Sequence, residues 1–228
     1  MKHRGKARRA AMRIIWITLL VVVAILIASL AAQLLGALVL ALLPFLGLLW
    51  VGFALFTLYF FRDPKPRVPQ GTGLVVAPGH GKVDLVDVFS EPRFLEGECQ
   101  RISIFLSVLD VHVQNAPVTG RVALLKHTPG QFMSALRSDC GLHNENVLLG
   151  LEADDPAGEK LGVRLIAGVL ARRIVPWVKP GDAVQRGDRI SLIQFGSRVE
   201  IYLPLRAKIR VQVGDRVVGG ETVLAVFE

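Results

Sequence analysis

From Ile14 to Phe61 the chain runs for 48 residues without an Asp, Glu, Lys, Arg or His, and 40 of them are hydrophobic. As one helix, at 1.5 Å per residue, this run would measure about 72 Å, against a hydrocarbon layer roughly 30 Å thick. Two crossings fit and one does not. The turn falls either around Gln33 and Gly36, dividing the run evenly, or at the P-F-L-G stretch from Pro44, leaving one long span and one short. The first is preferred. Lys2, Arg4, Lys6, Arg8, Arg9 and Arg13 precede the run, and Arg62, Lys65 and Arg67 follow it. Cations on both flanks predict that both ends lie in the cytoplasm, so the segment reads as a helical hairpin in the cell membrane. A cleaved secretory signal, with small residues around Ser29–Ala32, is a competing reading; the second apolar run argues against it. A re-entrant or interfacial hairpin is a further alternative.

The formal net charge is +8. Without the six amino-terminal cations, 21 basic residues face 19 acidic ones, so the rest of the chain is nearly neutral and needs no nucleic-acid-binding face. The apolar content excludes intrinsic disorder, and two cysteines exclude a disulfide-stapled mini-protein. Cys99 and Cys140 show neither CxxC nor metal-ligand spacing and are expected as reduced thiols. The glycines do not spell a phosphate-binding loop.

This gives a basic cytoplasmic tail (1–13), a two-helix membrane hairpin (14–61), a proline-rich exit (62–71) with Pro64, Pro66 and Pro69, and one domain over 72–228. Short runs rich in Val, Ile and Leu dominate that domain: LVVAP, RISIFL, VALLK, VRLIAGVLA, RISLIQF, VEIYLP, IRVQV and TVLAVF. They predict strands with turns between them, and one helix is expected near Gln131–Leu136. VKPGDAVQRGDRI (178–190) and VQVGDRVVGGETV (211–223) repeat at an offset of 33, each reading strand, Gly-Asp turn, strand. Similar phrasing occurs in the barrel-like sandwich of lipoyl and biotinyl carriers, although no lysine stands at a hairpin tip here. The expected fold is mainly β, a barrel-like sandwich with hammerhead-type hairpins and few short helices, attached to the α-helical hairpin.

Three stretches set ionisable or polar residues among strand-type apolar ones: VLDVHVQNAPVTG (108–120), ARRIV (171–175) and FGSRVEIYLP (195–204). Singly, a histidine on a strand, an arginine pair at an edge and a Gly-Ser turn are all ordinary structural features. Taken in order with FFRDP (60–64), PGQF (129–132) and NEN (144–146), they resemble the short, membrane-attached bacterial and archaeal phosphatidylserine decarboxylases, from about Phe60 to the carboxyl terminus.

The resemblance implies a pyruvoyl enzyme made from its own backbone. The Ser197 hydroxyl would attack the Gly196 carbonyl, the acyl group would pass from nitrogen to oxygen, and elimination then hydrolysis would leave a pyruvoyl group with loss of ammonia. A large piece ending at Gly196 would stay associated with a small one beginning at position 197. Decarboxylating an amino acid leaves a carbanion beside nitrogen, and a ketone conjugated to an amide, joined to the substrate amine as a Schiff base, provides the electron sink. The substrate implied is phosphatidylserine in the membrane and the product phosphatidylethanolamine. By the same likeness His112 is a general acid or base, and Asp110, two residues earlier on the same strand face, orients the site or caps a turn. Arg172, Arg173 and Arg198 are candidates for the phosphate or carboxylate. Strand alternation would set Arg172 and Arg173 on opposite faces.

Two positions depart from the family pattern. Family members commonly read PADG where this chain has Pro78, Gly79, His80 and Gly81, so His80 replaces an aspartate of the self-cleavage machinery. Longer members carry a second histidine where this chain has Asn115. His80 as the base is the preferred reading; Asp110 as substitute carboxylate and an unprocessed, inactive relative are the others. A non-catalytic membrane-tethered domain that binds lipid head groups or a protein partner is therefore the competing function, and a decarboxylase of archaeal ether-linked substrate a third. No metal site is expected, and edge strands would permit a homodimer.

Overall fold

The computed structural model describes residues 5–31, 36–134, 140–168, 173–194 and 197–227. The chain divides into two compact units, one over Gly5–Asp63 and one from Pro64 onward.

The first unit holds α1 (Lys6–Ala31) and α2 (Gly36–Phe60). Both helices are long and apolar enough to cross a membrane. Leu20 is 65% and Leu48 72% exposed, a surface suited to lipid and not to water. Pro44 lies inside α2 and makes no turn. Cations of the expected tail from Lys6 to Arg13 ride on the first turns of α1. Trp50 Nε1 donates to Thr18 Oγ1 at 3.0 Å, a polar contact joining the two helices.

The second unit is built of strands. In chain order these are β1 (Leu74–Val76), β2 (Gly81–Glu91), β3 (Gly97–Leu106), β4 (Val113–Asn115), β5 (Gly120–Thr128), β6 (Asn146–Asp154) and β7 (Ala157–Ala167). Then come β8 (Ile174–Pro176), β9 (Ala183–Val184), β10 (Arg189–Ile193), β11 (Ser197–Leu203), β12 (Lys208–Ile209), β13 (Arg216–Val217) and β14 (Val223–Val226). One antiparallel sheet runs β13-β2-β3-β11-β7-β6-β5-β9, and two three-stranded sheets run β1-β14-β12 and β4-β10-β8. The fold is thus mainly β.

Alternation sorts the long sheet into two faces. Ile102, Ile104 and Leu106 of β3, Val199 and Ile201 of β11, and Val163 and Leu165 of β7 all enter the main core. The opposite face of β11 carries Arg198, Glu200 and Tyr202, each at most 1% exposed. Tyr202 Oη donates to Glu200 at 2.5 Å, and Arg101 and Arg164 each lie 3.8 Å from that carboxylate. Burial of the Tyr202 phenol, reinforced by the negative charge on Glu200, pushes its proton affinity well above the ordinary range.

The repeat at offset 33 sets β9 and β10 against β13 and β14. A second repeat, at offset 39, sets β1 and β2 against β4 and β5, with Ala77-Pro78 and Gly81 matching Ala116-Pro117 and Gly120. The backbone bonds obey the same duplication. Val76 N donates to Pro117 O at 2.9 Å and Asn115 N to Pro78 O at 2.8 Å; Gly220 N donates to Ala77 O at 2.8 Å and Gly187 N to Ala116 O at 2.9 Å. Gly81 and Gly120 are fixed by close approach, since a Cβ there would lie 2.2 Å from Phe105 O and 2.0 Å from Glu152 O respectively.

Some expectations are corrected. Gln131 forms an isolated bridge with Asn144 and residues 132–134 are irregular, so no helix begins there; residues 135–136 lie outside the described residues. The short helix α3 (Cys140–His143) follows instead. The IRVQV run is strand only as far as Ile209. The proline-rich exit has no regular structure from Arg62 to Gln70, yet from Pro64 it is fastened to the domain. Arg186 donates to the carbonyls of Pro69, Gly71 and Leu74 at 2.9 to 3.1 Å, and the Arg67 amide donates to Glu221 at 2.8 Å.

Candidate active site

Ser197 opens β11 in the middle of the long sheet, opposite Leu106, the last residue of β3, and Ala167, the last of β7. β2 begins at this end, with Lys82 opposite Phe105, and β5, β6 and β7 meet here through Thr128, Asn146 and Ile166. The connections leaving this end therefore include Pro78–His80, Ser107–His112 and the segments 129–145, 168–173 and 194–196. Topology alone brings the described ends of these connections to the end of the sheet that holds Ser197.

The Ser197 side chain is fully buried, on the core face with Val199, and its Oγ has no hydrogen-bond partner among the described residues. A Cβ built on Gly79 would lie 3.6 Å from Val199 and 3.8 Å from Leu106, so the Pro78–Gly81 turn packs against the same corner. His80 follows directly and is half-buried. A Cβ on Gly219 would come within 3.0 Å of His80 Cδ2 and 2.9 Å of Asn115 Oδ1. The two departures from the family pattern thus border one glycine. Asn115 is held by donating from Nδ2 to Gly187 O at 2.9 Å.

His112 is fully buried. Its Nδ1 lies 2.9 Å from the Asp110 carbonyl oxygen. A carbonyl can only accept, so Nδ1 carries the proton and Nε2 is the basic nitrogen of the neutral ring. The His112 carbonyl accepts from Gln114 Nε2 at 2.7 Å and from Ile193 N at 3.2 Å, stapling the residue to β10 just before segment 194–196.

Neither Asp110 nor His112 stands on a strand; both lie in the connection from β3 to β4. Asp110 Oδ2 accepts from the Ser107 amide at 2.9 Å and hydroxyl at 2.8 Å, while Oδ1 accepts from Arg216 at 3.2 Å. It caps a turn. Burial works to raise its carboxyl, but the Ser107 bonds and the Arg216 charge prevail and hold it below the ordinary carboxylate range.

Arg198 points to the opposite face from Ser197. Its guanidinium bonds Asp84 at 2.8 and 2.6 Å and Ser103 at 2.6 Å. Arg173 is exposed and precedes β8, with its carbonyl accepting from Gln194 N at 3.2 Å, so strand alternation does not govern it. Arg172 and Gly196 lie outside the described residues. Sequence reasoning missed Gly219 and the clasp of Arg186, because both matter only through contacts distant in the chain. The signal that could have found them is the duplication, which aligns Gly219 with Arg186.

Residues 53–225 match the phosphatidylserine decarboxylase family profile. The chain is 45% identical over 179 residues to a phosphatidylserine decarboxylase proenzyme of Symbiobacterium thermophilum, covering 78% of this chain and 82% of the relative. It is 44% identical over 169 residues to the proenzyme of Desulfotalea psychrophila (74% and 78% covered), and 43% identical over 187 residues to that of Azorhizobium caulinodans (81% and 79%). A buried serine that opens a central strand of a β domain, in a chain with two membrane-length helices, accords with these matches: the chain belongs to the phosphatidylserine decarboxylase family.

Proposed function

We propose that the chain cleaves its own Gly196–Ser197 bond, that residue 197 becomes a pyruvoyl group, and that the enzyme converts phosphatidylserine to phosphatidylethanolamine at the cytoplasmic face of the cell membrane. The observation that carries this reading is the buried Ser197 Oγ, which has no hydrogen-bond partner among the described residues. Leaving a buried hydroxyl without a partner costs about 1–3 kcal/mol, a cost that a small apolar residue at this position would avoid. Val199 along the strand and Leu106 and Ala167 across it, its described neighbours on the core face, offer no side-chain acceptor.

For cleavage, a base takes the Ser197 proton, Oγ adds to the Gly196 carbonyl, and the C–N bond breaks to give an ester with a free amine. Loss of the Ser197 α-proton expels the Gly196 carboxylate and leaves dehydroalanine; water then replaces its nitrogen, which departs as ammonia. His80 is assigned as the base, because its turn packs at the serine's corner. Once formed, the ketone would supply the electron sink for decarboxylation. His112 would return a proton to the substrate carbon through Nε2, its ring fixed by the Asp110 carbonyl. Arg173 and Arg172 would meet the phosphate or carboxylate. Because β11 pairs on both sides from Ser197 to Tyr202, the two pieces would stay joined after scission.

A denaturing gel of the purified full-length protein tests the assignment. The wild type is expected as two pieces, and Ser197→Ala and His80→Ala each as one. Normal cleavage of His80→Ala would remove the base from His80. A single uncut wild-type chain would leave the non-catalytic tethered relative as the better reading.

A further inference from the structure

The connections at the Ser197 end of the long sheet carry large apolar side chains that the domain leaves uncovered. Val108 and Leu109, at the tip of the turn that Asp110 caps, are 38% and 59% exposed; Phe132 is 36% and Val218 40% exposed. These tips are held in place. Asp110 bonds Ser107 and Arg216 beneath the first. Asn144 exchanges two bonds with Met133, next to Phe132, and donates a third to Ala167 O at 2.7 Å. The Val218 amide donates to Thr222 Oγ1 at 2.9 Å. Among the other described residues of the domain, Leu205 at the opposite end of β11 and Val88 within β2 are exposed, as is Val213, just before Gly214, whose amide donates to Val83 O of β2 at 2.8 Å.

Charge accompanies the apolar tips. The Arg216 side chain is 73% exposed, and Arg173 is exposed beside β8. Among the described residues of these connections, Asp110 is held by Ser107 and Arg216, Glu145 by His127 at 3.1 Å, and Glu221 by the Arg67 amide at 2.8 Å. Rigid apolar tips flanked by arginines match the interfacial zone of a bilayer containing anionic lipid, where apolar groups sink below the head groups and guanidinium groups meet phosphates. The occupant that fits is lipid, since the same chain carries two helices long and apolar enough to cross a membrane.

We propose that this rim of Val108, Leu109, Phe132 and Val218 inserts into the bilayer surface, so that the Ser197 end of the domain sits at the level of the lipid head groups. The proposal rests on the decarboxylase reading for the purpose of that placement: a serine head group would reach Ser197 without its lipid leaving the membrane.

The test uses the full-length protein with Cys140→Ser and a bimane label on Leu109→Cys or, separately, Phe132→Cys, with Leu205→Cys as control. Cys99 is fully buried and burial pushes its thiol up to about 11, so it takes no label. The proteins are reconstituted in phosphatidylcholine–phosphatidylglycerol vesicles. Both rim labels are expected to be quenched by nitroxide carried on the acyl chains and shielded from iodide, with the opposite pattern at position 205. Rim labels as open to iodide as position 205, and untouched by the nitroxide, would overturn the proposal. Shielding from iodide without nitroxide quenching would overturn it in favour of a protein partner or a second copy. Neither readout depends on cleavage or turnover, so an uncut, inactive chain would leave the result standing.

Discussion

Gly219 shows how one missing side chain shapes the site. Any Cβ there would press on His80 and Asn115 together. If His80 is the base proposed above, Gly219→Ala is expected to slow self-cleavage roughly ten- to a hundredfold by shifting it, while leaving the circular dichroism and melting temperature close to wild type. Unchanged cleavage would show that His80 is not the group that matters. Asp110 makes a prediction that depends on pH. Its carboxyl is held below the ordinary range in the folded protein, so its stabilisation is present above the unfolded value and is lost as pH falls through the folded one. Asp110→Asn is expected to cost about 1–2 kcal/mol at neutral pH, with the difference from wild type fading below roughly pH 4 in melts run across pH. The sequence singles out His80, His112 and Ser197, and the structure buries His112 and Ser197 and sets the turn that carries His80 against Val199 and Leu106. The tautomer of His112 was not legible there, because it is set by a carbonyl in a turn that the sequence read as strand.

At the level of elements, the runs that were read correctly are those whose burial is nearly continuous, such as β10 and β11, in which every residue is buried. β2 was missed because Asp84 and Asp87 interrupt its apolar pattern. Those two acids are the partners of Arg198 and Arg101 across the outer face of the sheet, so the residues that hid the strand are the ones that fasten it. Asp84→Asn is expected to lower stability by about 1–3 kcal/mol, between the values for exposed and buried pairs because Asp84 is 31% exposed. KM for substrate should be unchanged. A selective rise in KM with no loss of melting temperature would return Arg198 to a substrate-binding role. The helix expected after Gln131 failed because Asn144 holds that segment as a bridged loop, a contact that a local pattern cannot reveal.

For the whole molecule, the sequence disclosed half of an internal duplication, the Gly-Asp hairpins at offset 33; the other half, at offset 39, is weak in sequence and clear in backbone bonding. The two copies have diverged in use. Where one places Gly219 beside His80, the other places Arg186, which ties the proline-rich exit to the domain. Arg186→Ala is accordingly expected to expose the 64–73 segment to limited proteolysis without altering cleavage at Ser197; protection equal to wild type would show that the clasp contributes little. The central claim is that this chain makes its own reactive group at residue 197, and the most direct measurement is the intact mass of the purified full-length protein under denaturing conditions. The account predicts two species, the smaller spanning 197–228 with its amino terminus blocked by a ketone, and a single species of 24.9 kDa would contradict it.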